Sequence, residues 1–363
     1  MIKIGDKEKD YLLELLVCAL KGTELVPRDD VDMKRVLKLA VKQQVYTAVL
    51  PCLEKSGFLP TEDKQEWNSH KLSEIQKNLI ISSEREALCK DFDEAGIRYM
   101  FMKGLIIRNY YPQSLMRQMS DNDLLYGVEK RDALFEVMKK NGFYMCGTQS
   151  ASDDFFKAPY VVMEMHKTLF DDECEVKLDL DLWKRAVKCE GDNSRYDMSP
   201  EDNYIYSLAH MYKHYSSSGC GIRFICDMYV LHYSDDKLDF DYINQQFKKF
   251  EMYDFYQKVM RVVEALFNDA DYTEDDLKLL NEVFAGGVFG VPKTMDETLK
   301  ENGGKFKYLF RKIFPKKEFM YRNYEYLQNK PYLLFPTYIK HFILRYKNKG
   351  KGAKKTLKSV LKN

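Results

Sequence analysis

Asp121 and Asp123 stand one residue apart in the mostly apolar run Gln118 to Tyr126, QMSDNDLLY. Side chains alternate between the two faces of an extended strand, so this spacing points both carboxylates to one side and Asn122 to the other. Two neighbouring carboxylates repel each other, and a divalent cation held between them removes that cost. Their hard oxygen atoms suit Mg²⁺ or Mn²⁺. Lys103 and Gly104 follow another short apolar run, Ile97 to Met102, where a strand turns into a helix. A glycine there lets a phosphate approach the backbone N–H groups, and Lys103 brings positive charge to the same turn. Arg117 adds a second cation, and Ser120 stands directly before the first acid. A glycine, two cations and two carboxylates within one short stretch describe a site for a metal-bound polyphosphate.

The elements that must position these residues are legible in the hydrophobic spacing. From Tyr11 to about Phe92 apolar residues recur at helical intervals, and Ile75 to Phe92 continues as one helix closed by Gly96. Ile97 to Met102, Gln118 to Tyr126, Tyr160 to Thr168 and Glu175 to Leu182 read as strands, with helices over Lys103 to Tyr111 and Lys130 to Asn141. Ser199, Pro200, Glu201 and Asp202 form a helix start, with the serine as cap and the proline in the first turn. Helical segments follow at Tyr204 to Tyr215, Ile222 to Tyr233, Asp241 to Phe267 and Asp275 to Phe284. The expected fold is α+β, a small mixed sheet with helices flanked by helical regions. Its expected parts are residues 1–94, helical; 95–188, the core that holds the acids; 189–310, helical; and 311–363, a basic aromatic tail.

Composition narrows the class. Hydrophobic residues are 45% of the 363 and charged residues 31%, interleaved throughout, as in a soluble globular protein. No run approaches the roughly 20 apolar residues of a membrane span, and the first ten residues are charged, so a cytoplasmic location is expected. Eight scattered cysteines with no Cys-x-x-Cys pair are expected as free thiols. The formal charge of +1 hides an asymmetry: residues 311–363 hold 15 Lys or Arg against 2 Glu, while the first 310 residues hold 42 basic against 54 acidic. The acidic body gives no strong nucleic-acid signal, and the basic tail could touch an anionic membrane or a partner.

The constellation resembles the polymerase-β-like nucleotidyltransferases, with a glycine after the first strand, then Asp-x-Asp, then a third carboxylate on a later strand. More narrowly it resembles a large bacterial group of nucleotidyltransferase family proteins. The matching residues are Lys103-Gly104, Tyr111-Pro112, Arg117, Asp121-Asn122-Asp123-Leu124-Leu125, Glu164-Met165-His166 with Leu169, Trp183 to Ala186, Ser199 to Asp202, His210 to His214, Arg223 and Asp227. Leu105 follows the glycine where the wider superfamily has a small or hydroxyl residue, and Lys103 is expected to compensate.

That resemblance implies an Mg²⁺-dependent transfer of a nucleoside monophosphate from an NTP, ATP by expectation, to a hydroxyl of a small molecule or protein, with pyrophosphate released. It implies Asp121, Asp123 and Glu164 as catalytic residues and metal ligands, and Lys103, Gly104, Arg117 and Ser120 on the nucleotide. Asp179 and Asp181, another Asp-x-Asp, compete with Glu164 for the third place. His166, His210 and His214 are candidates for the substrate pocket. His210 and His214 share a helix face at i, i+4, a spacing that also serves zinc, but no further ligand lies nearby in sequence. Arg223 and Asp227, also i, i+4, read as a helix salt bridge. The alternatives are a nucleotide-binding or assembly protein without catalysis, and phosphoryl transfer by the same core.

Overall fold

The computed structural model describes residues 1–287 except 58, 60, 172, 173, 175, 177, 179 and 218, and also 314, 317, 320, 321, 324 and 326–340. The chain forms two compact units, Met1–Val291 and Pro292–Asn363. Among the described residues there are thirteen α-helices and seven strands, an α+β fold. None of these helices is long and apolar enough to cross a membrane.

The helices of the first unit are α1 (Lys7–Lys21), α2 (Met33–Lys42), α3 (Tyr46–Ser56), α4 (Thr61–Ala95), α5 (Gly104–Ile107), α6 (Arg131–Lys140), α7 (Leu182–Arg185), α8 (Pro200–Ser217), α9 (Ile222–His232), α10 (Phe240–Lys249), α11 (Tyr253–Phe267) and α12 (Glu274–Gly286). Their ends follow local chemistry. Gly96 takes a positive φ of 62° after α4, which only glycine adopts without strain. Ser199 Oγ accepts the N–H of Asp202 at the start of α8. Glu251, with φ of 57°, divides the predicted Asp241 to Phe267 helix into α10 and α11.

The strands are β1 (Tyr99–Phe101), β2 (Asn122–Tyr126), β3 (Tyr144–Thr148), β4 (Ser152–Lys157), β5 (Val161–His166), β6 (Val187–Lys188) and β7 (Arg195–Asp197). They form one sheet in the order β3-β4-β5-β2-β1-β7-β6. β2 runs parallel to β5 and antiparallel to β1, so the mixed sheet expected from sequence is present. Two differences stand out. β3 and β4, an antiparallel pair, were not predicted, because β3 is an edge strand with mostly exposed residues and β4 carries two consecutive acids. The predicted strand Glu175 to Leu182 is not a strand at its described residues; Val176 is buried, and Leu178 and Leu180 pack partly buried on the helical core instead.

Each face of the sheet has its own core. Met100, Met102 and Leu125 join a large apolar cluster shared by α1 to α3 and α8 to α12, while Tyr99, Leu124, Tyr126, Met163 and Met165 face α4 and α6. At roughly 1.5 to 3 kcal/mol for each fully buried large apolar side chain, these two layers clamp the sheet. The N-terminal helices lock onto the C-terminal ones through Gln43, whose Nε2 donates to Phe284 O and whose Oε1 accepts from Ile222 N, both at 2.8 Å. In the second unit Met320, Leu327 and Tyr338 form a small core beside α13 (Tyr326–Asn329), so part of the aromatic tail packs internally. The Lys-rich residues 341–363 lie outside the described residues. All eight cysteines are free.

Candidate active site

Strand pairing assembles the acids. In the parallel β2·β5 ladder Asp123 is the direct partner of Glu164, and Leu125 that of His166. Asp123, Glu164 and His166 therefore share one face, and one ligand atom from each lies within 4.8 Å of the others. His166 Nε2 is 2.9 Å from Asp123 Oδ1 and 3.5 Å from Glu164 Oε2. Asp121 lies one residue before β2 rather than inside it, so strand alternation does not hold its side chain. Asp121 is outside this closest group, but it senses the charges of Asp123 and Glu164.

Lys103 reaches the cluster from the β1-to-α5 turn. Its φ of 48° and ψ of -123° are an unusual conformation for a residue with a Cβ, held only where the surroundings over-determine it. The ammonium donates to Asp123 Oδ1 and lies 3.4 Å from His166 Nε2 and 3.8 Å from Glu164 Oε2. Gly104 is required by packing: a Cβ there would stand 2.4 Å from Arg117 Nη1 and 3.2 Å from Met119 Cγ.

The electrostatics divide the group. Burial opposes ionisation of Asp123, but Lys103 and His166 outweigh it and hold the carboxyl well below its ordinary range. Burial and the charges of Asp123 and Glu164 push Asp121 upward, with Lys103 and Arg223 only partly compensating. Lys103 is penalised by burial, yet Asp123 keeps it firmly protonated. Burial and Lys103 pull His166 down, and its contacts with Asp123 and Glu164 raise it overall. Lys103 donates to Asp123, lies 3.8 Å from Glu164 and reaches Asp121 only through its charge, so one lysine serves three acids. A divalent ion would supply the missing charge, and the oxygen-rich donor set fits Mg²⁺ or Mn²⁺.

The remaining predicted residues fall in distinct places. Arg117 is buried and bidentate on Asp227, Nε to Oδ1 at 2.8 Å and Nη2 to Oδ2 at 2.9 Å, and Tyr111 also donates to Asp227 at 2.7 Å. The predicted Arg223 to Asp227 bridge is therefore absent: Asp227 is taken by Arg117, and Arg223 donates to the Gln44 side chain and to Gln118 O. Ser120 is half-buried beside Asp121. Asp181 sits at the start of α7, more than half exposed and paired with Lys184 at 3.0 Å, away from the cluster, while Asp179 lies outside the described residues. Asn122 faces away from the acids as expected, but it is structurally engaged, since its Oδ1 accepts from Arg85 of α4 at 3.0 Å.

His210 and His214 face the site from α8, their Nε2 atoms 3.0 Å apart. Such a bond needs one ring protonated and the other bare at Nε2. Burial, with Lys103 and each other's neighbourhood, pushes His210 well below its ordinary value; burial and Lys213 take His214 down to about 4. Lys103, Arg117, Ser207 and His210 line a small cavity between the α5 turn and helices α8 and α9.

One functional candidate, Tyr206, lies outside the residues that the sequence singles out. Tyr206, one turn before His210, is fully buried with a hydroxyl that has no hydrogen-bond partner, and it senses Lys103, Asp123 and Glu164. His166 Nδ1 is likewise buried and unpartnered. Tyr206 precedes His210 by one helical turn in α8, but burial of its hydroxyl is set by the tertiary packing.

Comparison with known proteins fits this geometry. Residues 29–268 match the family model of an uncharacterised nucleotidyltransferase. No curated protein and no solved structure matches the chain significantly. The matched span covers the N-terminal helices from Asp29, the whole sheet and the helices through α11, so the acids and both walls of the site lie inside it. The chain belongs to this uncharacterised nucleotidyltransferase family, enzymes that transfer phosphorus-containing groups.

Proposed function

We propose that the site moves a nucleoside monophosphate from an NTP, ATP by expectation, to a hydroxyl of a small molecule or protein. The observation that carries this reading is the convergence of Asp123, Glu164 and His166 within 4.8 Å, with Asp121 close enough to be repelled by the same acids. Asp121, Asp123 and Glu164 would hold Mg²⁺ or Mn²⁺. The ion, when bound, supplies charge neutralisation at the phosphoryl oxygens and lowers the pKa of the acceptor hydroxyl.

The chain's own residues divide the remaining work. Glu164, one-third exposed at 32% where Asp123 is buried, is open to an acceptor and receives the proton of its hydroxyl. The freed oxygen attacks the α-phosphorus in line. A new O–P bond forms, the bond from the α-phosphorus to the α,β-bridging oxygen breaks, and pyrophosphate carries away that electron pair. Lys103 holds Asp123 ionised and places a positive charge beside the reacting phosphoryl group. Gly104 and Ser120 form the nucleotide side, with Arg117, held on Asp227, fastening the wall behind Gly104, while His210 and His214, kept neutral, line the acceptor side without adding charge.

The test incubates purified protein with Mg²⁺, each α-³²P-labelled NTP and a cell extract, beside an Asp121→Asn/Asp123→Asn double variant. Label transferred to a product with pyrophosphate release, by the wild type alone, is the expected result. Transfer of the γ-phosphate with a nucleoside diphosphate as product would replace this reading by phosphoryl transfer, and binding without transfer of either group would replace it by a non-catalytic role.

A further inference from the structure

Arg223 sits in the second position of α9 and has no acidic partner among the described residues. Its Nη1 donates to two neutral acceptors, Gln44 Oε1 and Gln118 O, the latter at 3.3 Å. Its Nε is buried and makes no hydrogen bond. Asp227, one turn on, cannot serve it, because both carboxylate oxygens already bind Arg117 and one also binds Tyr111. A guanidinium has five N–H donors, and most of those on Arg223 are unused.

Leaving such a group desolvated is costly unless an anion completes it. Burial and the neighbouring Arg117 push Arg223 down to about 10, and the charge of Asp227, followed more weakly by Tyr111 and Asp121, offsets this only in part. The same pairing is reciprocal, since Arg223 also pulls on Asp121. The bond from Arg223 to Gln118 O places the guanidinium at the segment that leads into Asp121, an acid with no hydrogen-bond partner among the described residues. Arg117, by contrast, spends two of its three nitrogens on Asp227, and its Nη1 lies against Gly104.

We infer that Arg223 is a phosphate-binding residue of this site, using its unpaired guanidinium arm to grip the oligophosphate of the nucleotide beside Asp121. This rests on the nucleotidyl-transfer reading above and adds to it a residue assigned there to no role. The ligand chemistry is a chain of phosphates. A guanidinium meets it with two parallel N–H donors, which a lysine cannot reproduce.

Calorimetric titration of the full chain with Mg²⁺ and, separately, inorganic tripolyphosphate and the α,β-methylene analogue of each NTP tests this. Wild type, Arg223→Gln, Arg223→Lys and Asp121→Asn are compared, with melting curves taken in the absence of ligand. Arg223→Gln is expected to weaken binding about tenfold to a hundredfold, the scale of a hydrogen bond to a charged group, and Arg223→Lys to recover part of it. Its ligand-free melting temperature should match or exceed that of wild type, because an uncompensated cation is removed. Equal binding by wild type and Arg223→Gln would overturn the assignment while leaving the nucleotidyl-transfer reading intact. So would weakened binding accompanied by a large loss of ligand-free stability in both Arg223 variants, since that marks a fastening role for the Gln44 and Gln118 contacts. If wild type itself binds none of the probes, the functional reading fails and this inference goes with it. Loss of the nucleotide analogue with tripolyphosphate retained would place the contact outside the phosphate chain and overturn it too.

Discussion

Each face of the sheet carries a buried carboxylate, and the two are satisfied to very different degrees. Asp153 of β4 is fully buried on the face toward α6. Its oxygens accept two bonds from Arg131 at 2.9 and 3.0 Å, one from Tyr126 at 3.2 Å, one from Thr148 at 3.1 Å and one from Lys167 at 3.5 Å. Burial alone would raise its pKa, but these partners hold it below the ordinary range. On the other face Asp123 shares one lysine with Glu164, His166 keeps an orphaned Nδ1, and Asp121 finds no donor. A closed network of this kind fixes a fold, whereas an open one leaves atoms for a ligand to complete. Arg117, Asp227 and Tyr111 belong to the closed type, and Arg223 to the open one.

The largest expected effect separates the two faces directly. Asp123→Asn should lower NTP-dependent transfer by at least roughly a hundredfold, as expected when charge stabilisation of the transition state is lost. Its melting temperature should fall less than that of Asp153→Asn, because loss of the Lys103 pair is offset by relief of the repulsion between Asp123 and Asp121. Asp153→Asn should leave Mg²⁺ binding unchanged and destabilise the fold by about 1.5 to 3 kcal/mol, because the part-exposed Arg131 and Lys167 lose a charged hydrogen-bond partner. Mg²⁺ titration and thermal unfolding of both variants check this. Swapped outcomes, with Asp153→Asn losing the metal and Asp123→Asn losing the fold, would erase the distinction.

A smaller effect concerns pH. His210 and His214 have folded pKa values depressed by burial, His214 to about 4, against an unfolded value near 6.5. Between those values the unfolded chain binds more protons than the folded one. The stability they contribute is therefore complete above about pH 6.5 and is lost as pH falls toward 4. Unfolding free energies measured across this window should fall with acid less steeply in the His210→Gln/His214→Gln double variant. An unchanged slope would mean that the pair is not held neutral by its surroundings.

The finest test compares two tyrosines. Tyr111 donates to the buried Asp227 carboxylate, so Tyr111→Phe should cost about 1.5 to 3 kcal/mol. Tyr206 has an equally buried hydroxyl with no partner, and Tyr206→Phe should cost less than about 1 kcal/mol or stabilise slightly. Chemical denaturation of the two single variants reads the difference. A Tyr206→Phe loss as large as that of Tyr111→Phe would show that its hydroxyl is already satisfied.

The sequence by itself determined the features that depend on neighbours along the chain. The glycine that closes α4, the serine cap of α8 and the strand runs of β2 and β5 are set by local backbone chemistry, and each appears at or within a few residues of its expected place. The acids were legible for the same reason: Asp121 and Asp123 gather in a few residues, and Glu164 and His166 alternate along one strand. Local spacing failed wherever a side chain had several partners to choose from. The i, i+4 pattern of Arg223 and Asp227 predicts a bridge, but Arg117, about 110 residues earlier, offers Asp227 two parallel bonds and wins. β3 and β4 pair at an edge that needs no apolar signature, so periodicity passed over them. Only the tertiary structure decided which charges stand alone. Burial and partner count are sums over contacts from α4, α5, α8, α9 and the sheet together, and they made Asp153 a closed structural group while leaving Asp121, Tyr206 and Arg223 with unfilled hydrogen-bonding capacity among the described residues.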